Sequence, residues 1–209
     1  AMILSPIVTI EQYEMPTKMP NALQLFEDMA RYWASTSFAE EAELWSLFAA
    51  IPKEPSLAPG RLPFFLVPGY PEIPDWKKLM GFVRAGGKTG VSYLNGGEHT
   101  NLVELPKRPY LMIDVEDGRS YLKVSQDDAA SRIRAARRSG FTTFESWAYA
   151  TIFPVLERQS LFSVESLLDG EFVPTLYRNQ EIGPTLGGLR SGFAVSTYGT
   201  PSCRERREC

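Results

Sequence analysis

Along the chain, the hydrophobic positions follow a helical spacing first and form short β-prone runs later. From Asn21 onward apolar residues recur every three or four positions, which predicts an amphipathic helix; they are Ala22, Phe26, Met29, Ala30 and Trp33. A second apolar stripe follows Ser37-x-x-Glu40, a capping-box pattern, and ends at Pro52. We therefore expect residues 21–52 to form a helical N-terminal lobe, preceded by an extended arm at residues 1–20.

The strongest strand signal is the run at residues 109–115, Pro-Tyr-Leu-Met-Ile-Asp-Val. It is apolar and rich in residues that favour strands, as expected of the central strand of a sheet. A shorter apolar run at 62–67 predicts a second buried strand, separated from the helical lobe by the proline-rich loop at 52–61. The Asp117-Gly118 pair is typical of hairpin turns, so we expect residues 119–124 to return as a neighbouring strand.

Capping patterns predict two helices directly downstream of the central strand. Ser125-x-x-Asp128 begins the first, and we expect Gly140 at its C-terminal end in a left-handed cap. Thr142-x-x-Glu145 begins the second, which Pro154 ends because proline lacks the backbone N–H that a helix interior needs. Upstream of the central strand, we expect one further helix at residues 75–84.

The last third of the chain is typical of a β-meander. Asp169-Gly170 and Asn179-Gln180 are turn pairs that bound a strand at 171–178, and a further strand is expected at 181–186. We expect the tail at 204–209 to be frayed, as chain ends often are.

The predicted helices and hairpins follow one another in separate groups and do not alternate regularly as strand, helix, strand. This order favours an α+β fold. We predict a helical N-terminal lobe plus a mostly antiparallel mixed sheet covered by two helices. The single domain is expected to span residues 21–203, with its sheet-containing core at 62–203.

The composition narrows the classes of function. The chain has 209 residues, of which 44% are hydrophobic, and this is enough for a sizeable core. Its net charge of −3 and pI near 5.4 lack the basic footprint of a duplex-binding domain, so nucleic acid is a disfavoured partner. No apolar run reaches about 18 residues, no signal-peptide pattern begins the chain, and two cysteines make no disulfide framework. We therefore expect a cytoplasmic protein without a membrane partner.

Carboxylates cluster at the end of the central strand and in the turn after it. Asp114, Glu116 and Asp117 lie there, and Asp127 and Asp128 are near in sequence. Such a cluster can bind Mg²⁺ or Ca²⁺, or supply a general acid–base pair. A structural role is the competing interpretation, because Asp117 also forms the turn and Asp128 also caps a helix. Asp114 and Glu116 are the catalytic candidates of this group.

His99 is the only histidine, which excludes a metal site with two or more histidines. Any Ser-His-Asp or Cys-His catalytic site has to use it; an exposed position in a glycine-rich loop is the competing interpretation. Gly87-Lys88-Thr89 is reminiscent of a phosphate-binding loop, but the earlier glycine, Gly81, is one residue too far away for the required pattern. We predict no metal site and no cofactor.

Cys203 is the remaining catalytic candidate. A reactive thiolate needs cationic neighbours, and Arg204 and Arg206 are close in sequence; a buried, inert thiol is the alternative. A further group of arginines forms either a local basic patch or simply a solvated helix face. These are Arg132, Arg134, Arg137, Arg138, Arg178, Arg190 and those of the tail.

Four motifs occur in a distinctive order. They are Gly60-Arg61-Leu62-Pro63-Phe64, the run from Pro109 to Gly118, Gly140-Phe141-Thr142-Thr143-Phe144-Glu145-Ser146, and Gly199-Thr200-Pro201-Ser202-Cys203. Over residues 20–203 this order resembles a bacterial domain family of unknown function, about 200 residues long and best populated among actinobacteria. The resemblance implies a shared architecture and a bacterial cytoplasmic setting, but no activity. Residues 188–194 lack the Cys, His and Trp that many members carry there, and Phe153-Pro154 lacks the histidine often found before that proline.

Three functions stay open. A binding or interaction module for an unknown small molecule or protein is the leading hypothesis, because no catalytic set converges in sequence while 12% of residues are aromatic. A small hydrolase or transferase would use the acidic cluster or Cys203, and it gains support if Asp114, Glu116 and His99 converge in one pocket. A structural homodimer subunit would expose a large apolar patch over the lobe of Trp33 and Trp45.

Overall fold

The computed structural model describes residues 22–52, 61–71, 73–94 and 98–208, and over these residues the chain has an α+β fold. The helices are α1 (Ala22–Ser35), α2 (Glu41–Ser46), α3 (Trp76–Met80), α4 (Gln126–Ala135) and α5 (Thr143–Ile152), with short 3₁₀ helices at Leu47–Ala50, Arg119–Tyr121 and Val155–Glu157. The strands are β1 (Arg61–Val67), β2 (Arg84–Ala85), β3 (Lys88–Thr89), β4 (Val91–Ser92), β5 (His99–Asn101), β6 (Tyr110–Glu116), β7 (Ser139–Gly140), β8 (Ser160–Phe162), β9 (Ser166–Leu168), β10 (Phe172–Asn179), β11 (Gly183–Arg190), β12 (Tyr198–Gly199), β13 (Ser202–Cys203) and β14 (Glu205–Arg207). The arm predicted at 1–20 and most of the loop at 52–61 lie outside the described residues.

The predicted central strand is confirmed as β6. It lies between β1 on one side and the C-terminal strands β13 and β14 on the other, and all three run antiparallel to it. The strand predicted at 62–67 is β1, whose register places Arg61 opposite Glu116 and Val67 opposite Tyr110. This register brings the first residue of β1 to the acidic end of β6.

The prediction of a frayed tail at 204–209 is wrong, because β14 pairs with β6. The physical reason is Arg206, which binds the fully buried carboxylate of Glu145 with Nε–Oε1 at 2.6 Å and Nη2–Oε2 at 2.8 Å. Two parallel charge-assisted hydrogen bonds hold the strand in place. Cys209 itself lies outside the described residues.

The predicted β-meander is confirmed in its main part. β10 and β11 form a hairpin, and at its turn Asn179 Oδ1 accepts hydrogen bonds from Glu181 N at 2.9 Å and Ile182 N at 3.1 Å. In the described part of the chain this second sheet has the order β12-β8-β10-β11-β4, and β9 and β5 join it through β10. The β11–β4 and β12–β8 pairs are parallel and the others antiparallel, so the sheet is mixed but mostly antiparallel.

Helix α5 is at the centre of the fold. All ten of its residues are buried, and it contacts β1 of the first sheet and β10 of the second. A helix that is buried on every side is expected only where other elements surround it. Its predicted capping box is present, with Thr142 N donating to Glu145 Oε2 at 2.8 Å. The N-terminal lobe joins the same core. The centre of the Trp33 ring lies 5.7 Å from the centre of the Trp147 ring, and Trp33 Nε1 donates a hydrogen bond to Leu66 O at 2.9 Å.

The strand predicted at 119–124 is wrong. After β6 the chain turns at Gly118, where φ is 93°, into the 3₁₀ helix at Arg119–Tyr121. A Cβ on Gly118 would lie 2.8 Å from Thr200 N, so the segment after β12 fills the space beside this turn. The neighbour of β6 on that side comes from the C-terminal residues 202–207, which a local turn signal does not report.

Two predicted helix ends also differ. Helix α4 ends at Ala135, and the left-handed residue after it is Arg137, with a φ of 55°. Gly140 is not a helix cap but part of β7, where it pairs with Ser202.

Upstream of β6, the helix predicted at 75–84 is only the short α3, because the chain then forms the β2–β3 hairpin. Helix α2 follows Glu40 and lacks the capping box predicted at Ser37. None of the helices in the described part of the chain has the length and apolar character needed to cross a bilayer.

Candidate functional site

Asp114, one of the predicted catalytic candidates, lies in β6 with its backbone in the left-handed region at a φ of 54°. Aspartate tolerates this conformation better than most residues. The left-handed backbone at this position interrupts the regular alternation of side chains along the strand. The carboxylate is 13% exposed and forms ion pairs with three guanidinium groups, those of Arg61, Arg138 and Arg204. These four residues are called the arginine cluster below.

Arg138 is the buried member of the arginine cluster, with a side chain that is 6% exposed. Its Nη1 donates to Asp114 Oδ2 at 2.7 Å, its Nη2 donates to the Asp114 carbonyl oxygen, and its Nε donates to Ser202 Oγ at 2.9 Å. The prediction of a solvated helix face is therefore wrong for Arg138, because it follows the end of α4 and turns toward β6 and β13. The hydrogen-bond donors of Arg138 are therefore bound to other groups of the protein, and its guanidinium group is held in place.

Arg61 and Arg204 are the open members of the arginine cluster. Arg61 Nη1 donates to both Asp114 carboxylate oxygens, at 3.1 and 3.2 Å, and its side chain is 33% exposed. Arg204 approaches Asp114 Oδ2 only through Nε, at 3.4 Å, and is 68% exposed. Within the described residues no other acceptor binds these two guanidinium groups. Three cations around one carboxylate leave an excess of two positive charges.

Glu116 is buried at the end of β6. Its Oε1 accepts a hydrogen bond from Ser120 N at 3.3 Å, and its Oε2 has no partner among the described residues. Burial raises the pKa of Glu116, an effect that the Ser120 hydrogen bond opposes. Burial also raises the pKa of Asp117, and Arg119 opposes this with an Nε–Oδ2 contact of 2.6 Å. The two carboxyl groups thus sit where ionisation is unfavourable.

The pKa of Tyr121 responds to both acidic and basic groups. Burial raises the pKa of its hydroxyl, Glu116 raises it further, and Arg138 and Arg61 lower it. Three more buried side chains in the described part of the chain carry polar atoms without a hydrogen-bond partner, those of Gln126, Thr175 and Thr200. At the end of β6, Glu116 and Asp117 are both buried, and buried titratable groups are common at functional sites.

His99 lies in β5, half-buried, and not in an exposed loop as the competing interpretation expected. Its Nε2 is 2.8 Å from Thr143 Oγ1, and its ring is 5.0 Å from the Trp76 ring. Thr143 N donates to Ser166 Oγ at 2.9 Å, and Ser166 Oγ donates to Asn101 Oδ1 at 2.8 Å. Burial lowers the pKa of His99, which favours the neutral ring. Because Thr143 is fully buried, this network holds the first turn of α5 and does not present a nucleophile.

Cys203 is fully buried, and burial raises the pKa of its thiol to about 12, although Arg206 lowers it in part. A reactive cysteine needs access and a lowered pKa. The cations expected to activate it are engaged elsewhere, Arg204 with Asp114 and Arg206 with Glu145. Cys203 is a core residue.

The catalytic candidates have separate partners. Among the described residues, no hydrogen bond or ion pair joins His99 to Asp114 or Glu116, and no group of three side chains is arranged to hold a metal ion. A small pocket lined in part by Tyr32 and Pro154 has a volume of about 10 Å³, which is room for one water. The arginine cluster is thus the most distinctive chemical arrangement in the described part of the chain.

Sequence reasoning missed Arg61 as a site residue. Its position depends on the register between β1 and β6, which no local pattern reports. Of the arginines that the basic-patch alternative grouped together, Arg138 and Arg204 pair with the same carboxylate, whereas Arg134 and Arg178 pair with Glu165 and Glu157. The alternative named no carboxylate as their common partner, which is Asp114.

Comparisons with known proteins assign no relative to this arrangement: no family model, no curated protein and no solved structure matches the chain. The functional argument therefore depends on the geometry of the described residues.

Proposed function

We propose that this protein is a binding module that recognises a small molecule through an oxyanion, a phosphate or carboxylate group, at the arginine cluster. The observation that supports it is the convergence of three guanidinium groups on one carboxylate, with Arg61 and Arg204 left 33% and 68% exposed. Guanidinium groups match the geometry of phosphate and carboxylate oxygens and are common where such groups are bound. The accessible donors are those of Arg204 and Arg61.

Most of the arginine cluster is ordered before any ligand arrives. Arg138 is held by Asp114 and Ser202, and Arg61 by both oxygens of Asp114. Binding then has to order mainly the Arg204 side chain. Preorganised donors reduce the entropy that association loses, which favours a useful affinity at a small site.

We favour binding over catalysis because the candidates for catalysis are dispersed. Cys203 is buried with a raised pKa, and His99 is committed to Thr143. A hydrolase or transferase at the arginine cluster would have to use Glu116, whose raised pKa suits a general acid. The resemblance to a bacterial family remains part of the proposal, and with it a cytoplasmic setting.

The test is a calorimetric or NMR titration of the whole protein at low salt with inorganic phosphate, pyrophosphate and citrate. Arg204→Ala removes the most exposed guanidinium and leaves the pairing of Arg138 with Asp114 in place. We expect saturable binding by the unmodified protein, and about tenfold weaker binding by Arg204→Ala, as is usual for loss of one charged hydrogen bond.

Arg31→Ala is the matched control, because Arg31 is 74% exposed and lies 3.9 Å from Asp28 on α1. We expect it to bind as the unmodified protein does. Equal losses in both variants would show that the anions only screen surface charge. If the protein turns over a substrate and Glu116→Gln abolishes this turnover, the arginine cluster belongs to an enzyme active site and the binding-module proposal is wrong.

A further inference from the structure

The buried carboxyl group of Glu116 adjoins the arginine cluster through the pairing of its strand. In the first sheet, Arg61 of β1 and Ser202 of β13 are the direct partners of Glu116, one on each side. Directly paired residues carry their side chains on the same face of a sheet. Arg61 Nη1 donates to Asp114 Oδ1 at 3.1 Å. Ser202 Oγ accepts from Arg138 Nε at 2.9 Å. Both neighbours of Glu116 are therefore in contact with members of the arginine cluster.

Tyr121, in the 3₁₀ helix after β6, is electrostatically coupled to Glu116 and to the arginine cluster. Burial raises the pKa of its hydroxyl, Glu116 raises it further, and Arg138 and Arg61 lower it. Coulomb interactions weaken with distance and with screening by water and salt, so all three charged groups are near this hydroxyl. The coupling agrees with the strand register, which puts Glu116 and Arg61 side by side on one face.

Glu116 Oε2 is a buried acceptor that the described part of the chain leaves without a donor. The residue is 5% exposed, and only its Oε1 accepts a hydrogen bond, from Ser120 N at 3.3 Å. Both oxygens of Asp114, in contrast, accept from guanidinium groups. Leaving a buried polar atom unpaired is costly. A ligand that brings a hydrogen-bond donor to Oε2 removes this cost.

We propose that the anion bound at the arginine cluster is inorganic phosphate, and that Glu116 selects it by accepting a hydrogen bond from the proton that phosphate carries. This inference rests on the proposed function, in which Arg61 and Arg204 donate to the anion. Sulfate and fully ionised phosphate esters have no proton to offer, so they leave Oε2 unpaired and bring a like charge toward it. A site built to hydrogen-bond one group of a ligand strongly rejects analogues that lack this group.

The protonation state of Glu116 sets the pH range in which selection operates. Burial raises the pKa of Glu116, the Ser120 hydrogen bond opposes this, and the like charge of Asp117 adds to it. The other titratable and charged groups of this region are those of Arg61, Arg119, Arg132, Arg138 and Tyr121. Below its pKa, the neutral carboxyl group donates its own proton to any oxyanion. Above its pKa, only an anion that carries a proton forms the hydrogen bond, so selectivity should increase as pH rises.

Methyl phosphate is the matched probe for the proton. It follows the charge of inorganic phosphate closely at pH 5 and at pH 8, but it keeps its proton only at pH 5, because the second pKa of a phosphate ester is about 6. Calorimetric titration of the whole protein at equal ionic strength gives the dissociation constants of both anions. We expect the ratio of the methyl phosphate constant to the phosphate constant to rise about tenfold from pH 5 to pH 8, as is usual for one charged hydrogen bond. The change in this ratio is independent of the size of the methyl group.

Glu116→Gln should show the same ratio at both pH values, because its amide does not ionise and can donate to an ester oxygen. Glu43→Gln, at an exposed site on α2, is the control and should behave as the unmodified protein does. If the unmodified protein binds both anions saturably and the ratio does not change with pH, the inference is overturned while the proposed function stands. The same holds if the ratio rises equally in Glu116→Gln, and if that variant does not fold, the unmodified protein alone decides. Absence of saturable binding by either anion overturns the proposed function and this inference together.

Discussion

At the end of β6, the buried carboxyl group of Glu116 contributes a pH dependence to folding. Burial raises the pKa of Glu116 above its ordinary value of 4.5, and its Oε2 has no partner in the described part of the chain. Below the ordinary pKa both the folded and the unfolded protein hold the proton, so the favourable contribution of the neutral group is fully present. As pH rises through the folded pKa, the buried group must ionise and this contribution is lost.

We predict that Glu116→Gln stabilises the protein at pH 7 by about 1 kcal/mol, because the amide keeps the acceptor for Ser120 N and never ionises. The advantage should shrink as pH falls toward 4. Urea unfolding of both proteins at the two pH values measures it. Glu43→Gln, at an exposed site, is the control, with an expected change below about 0.5 kcal/mol at pH 7. A Glu116→Gln protein that is less stable at pH 7 would show that the ionised carboxylate is paired.

Asp114 shows what a residue pattern can and cannot predict about a site. A carboxylate at the end of a central strand is visible in sequence, and this identified the residue as a candidate. Its function depends on Arg61, Arg138 and Arg204, which are separated from it in sequence and meet it only through the pairing of β6 with β1 and the tail. A pattern read over ten residues contains no information on such partners.

Among the elements, β14 has the clearest energetic consequence. Arg206, 13% exposed, is the counter-charge of Glu145, which is fully buried and also accepts from Tyr110 Oη at 3.0 Å. Removing the guanidinium leaves a buried carboxylate without its cation, which usually costs about 3–5 kcal/mol.

We therefore predict that ending the chain after Arg204, or the single change Arg206→Ala, lowers the free energy of unfolding by about 3–5 kcal/mol. Ending it after Arg207 retains the ion pair and should change stability by less than about 0.5 kcal/mol. Denaturant unfolding of the three variants measures this. If the two truncated proteins are equally stable, the ion pair does not hold β14, and the frayed tail is the correct description after all.

The same distinction between local and distant signals explains which elements the sequence predicted. Strand β6, the β10–β11 hairpin and the capping box at Thr142 follow from local periodicity and turn or cap chemistry. The strand predicted at 119–124 failed because the Asp-Gly turn leads into a 3₁₀ helix, while a distant segment supplies the neighbour of β6. Strand β14 was missed because its own residues are polar and the contacts that order it, its pairing with β6 and the ion pair of Arg206 with Glu145, are long-range.

At the scale of the whole molecule, the net charge does not show how the charged side chains are distributed. A net charge of −3 disfavours a duplex-binding protein, yet the four residues of the arginine cluster, three arginines and one aspartate, carry an excess of two positive charges among themselves. A small anion that binds there relieves repulsion among the guanidinium groups. The free energy of unfolding, and not only the binding affinity, should therefore report anion binding at the arginine cluster.

Asp114→Asn is predicted to lower the free energy of unfolding by about 2–4 kcal/mol, because Arg138, 6% exposed, loses its counter-charge while an acceptor remains. Phosphate should restore part of this loss by taking the place of the carboxylate; at ten times its dissociation constant, a ligand adds about 1.4 kcal/mol. Thermal unfolding in sodium phosphate is compared with sodium chloride of equal ionic strength. Asp114→Asn combined with Arg204→Ala is the control, and tenfold weaker binding should reduce its response to about 0.4 kcal/mol. If phosphate and chloride stabilise Asp114→Asn equally, the guanidinium groups do not form a specific anion site, because screening alone then accounts for the effect.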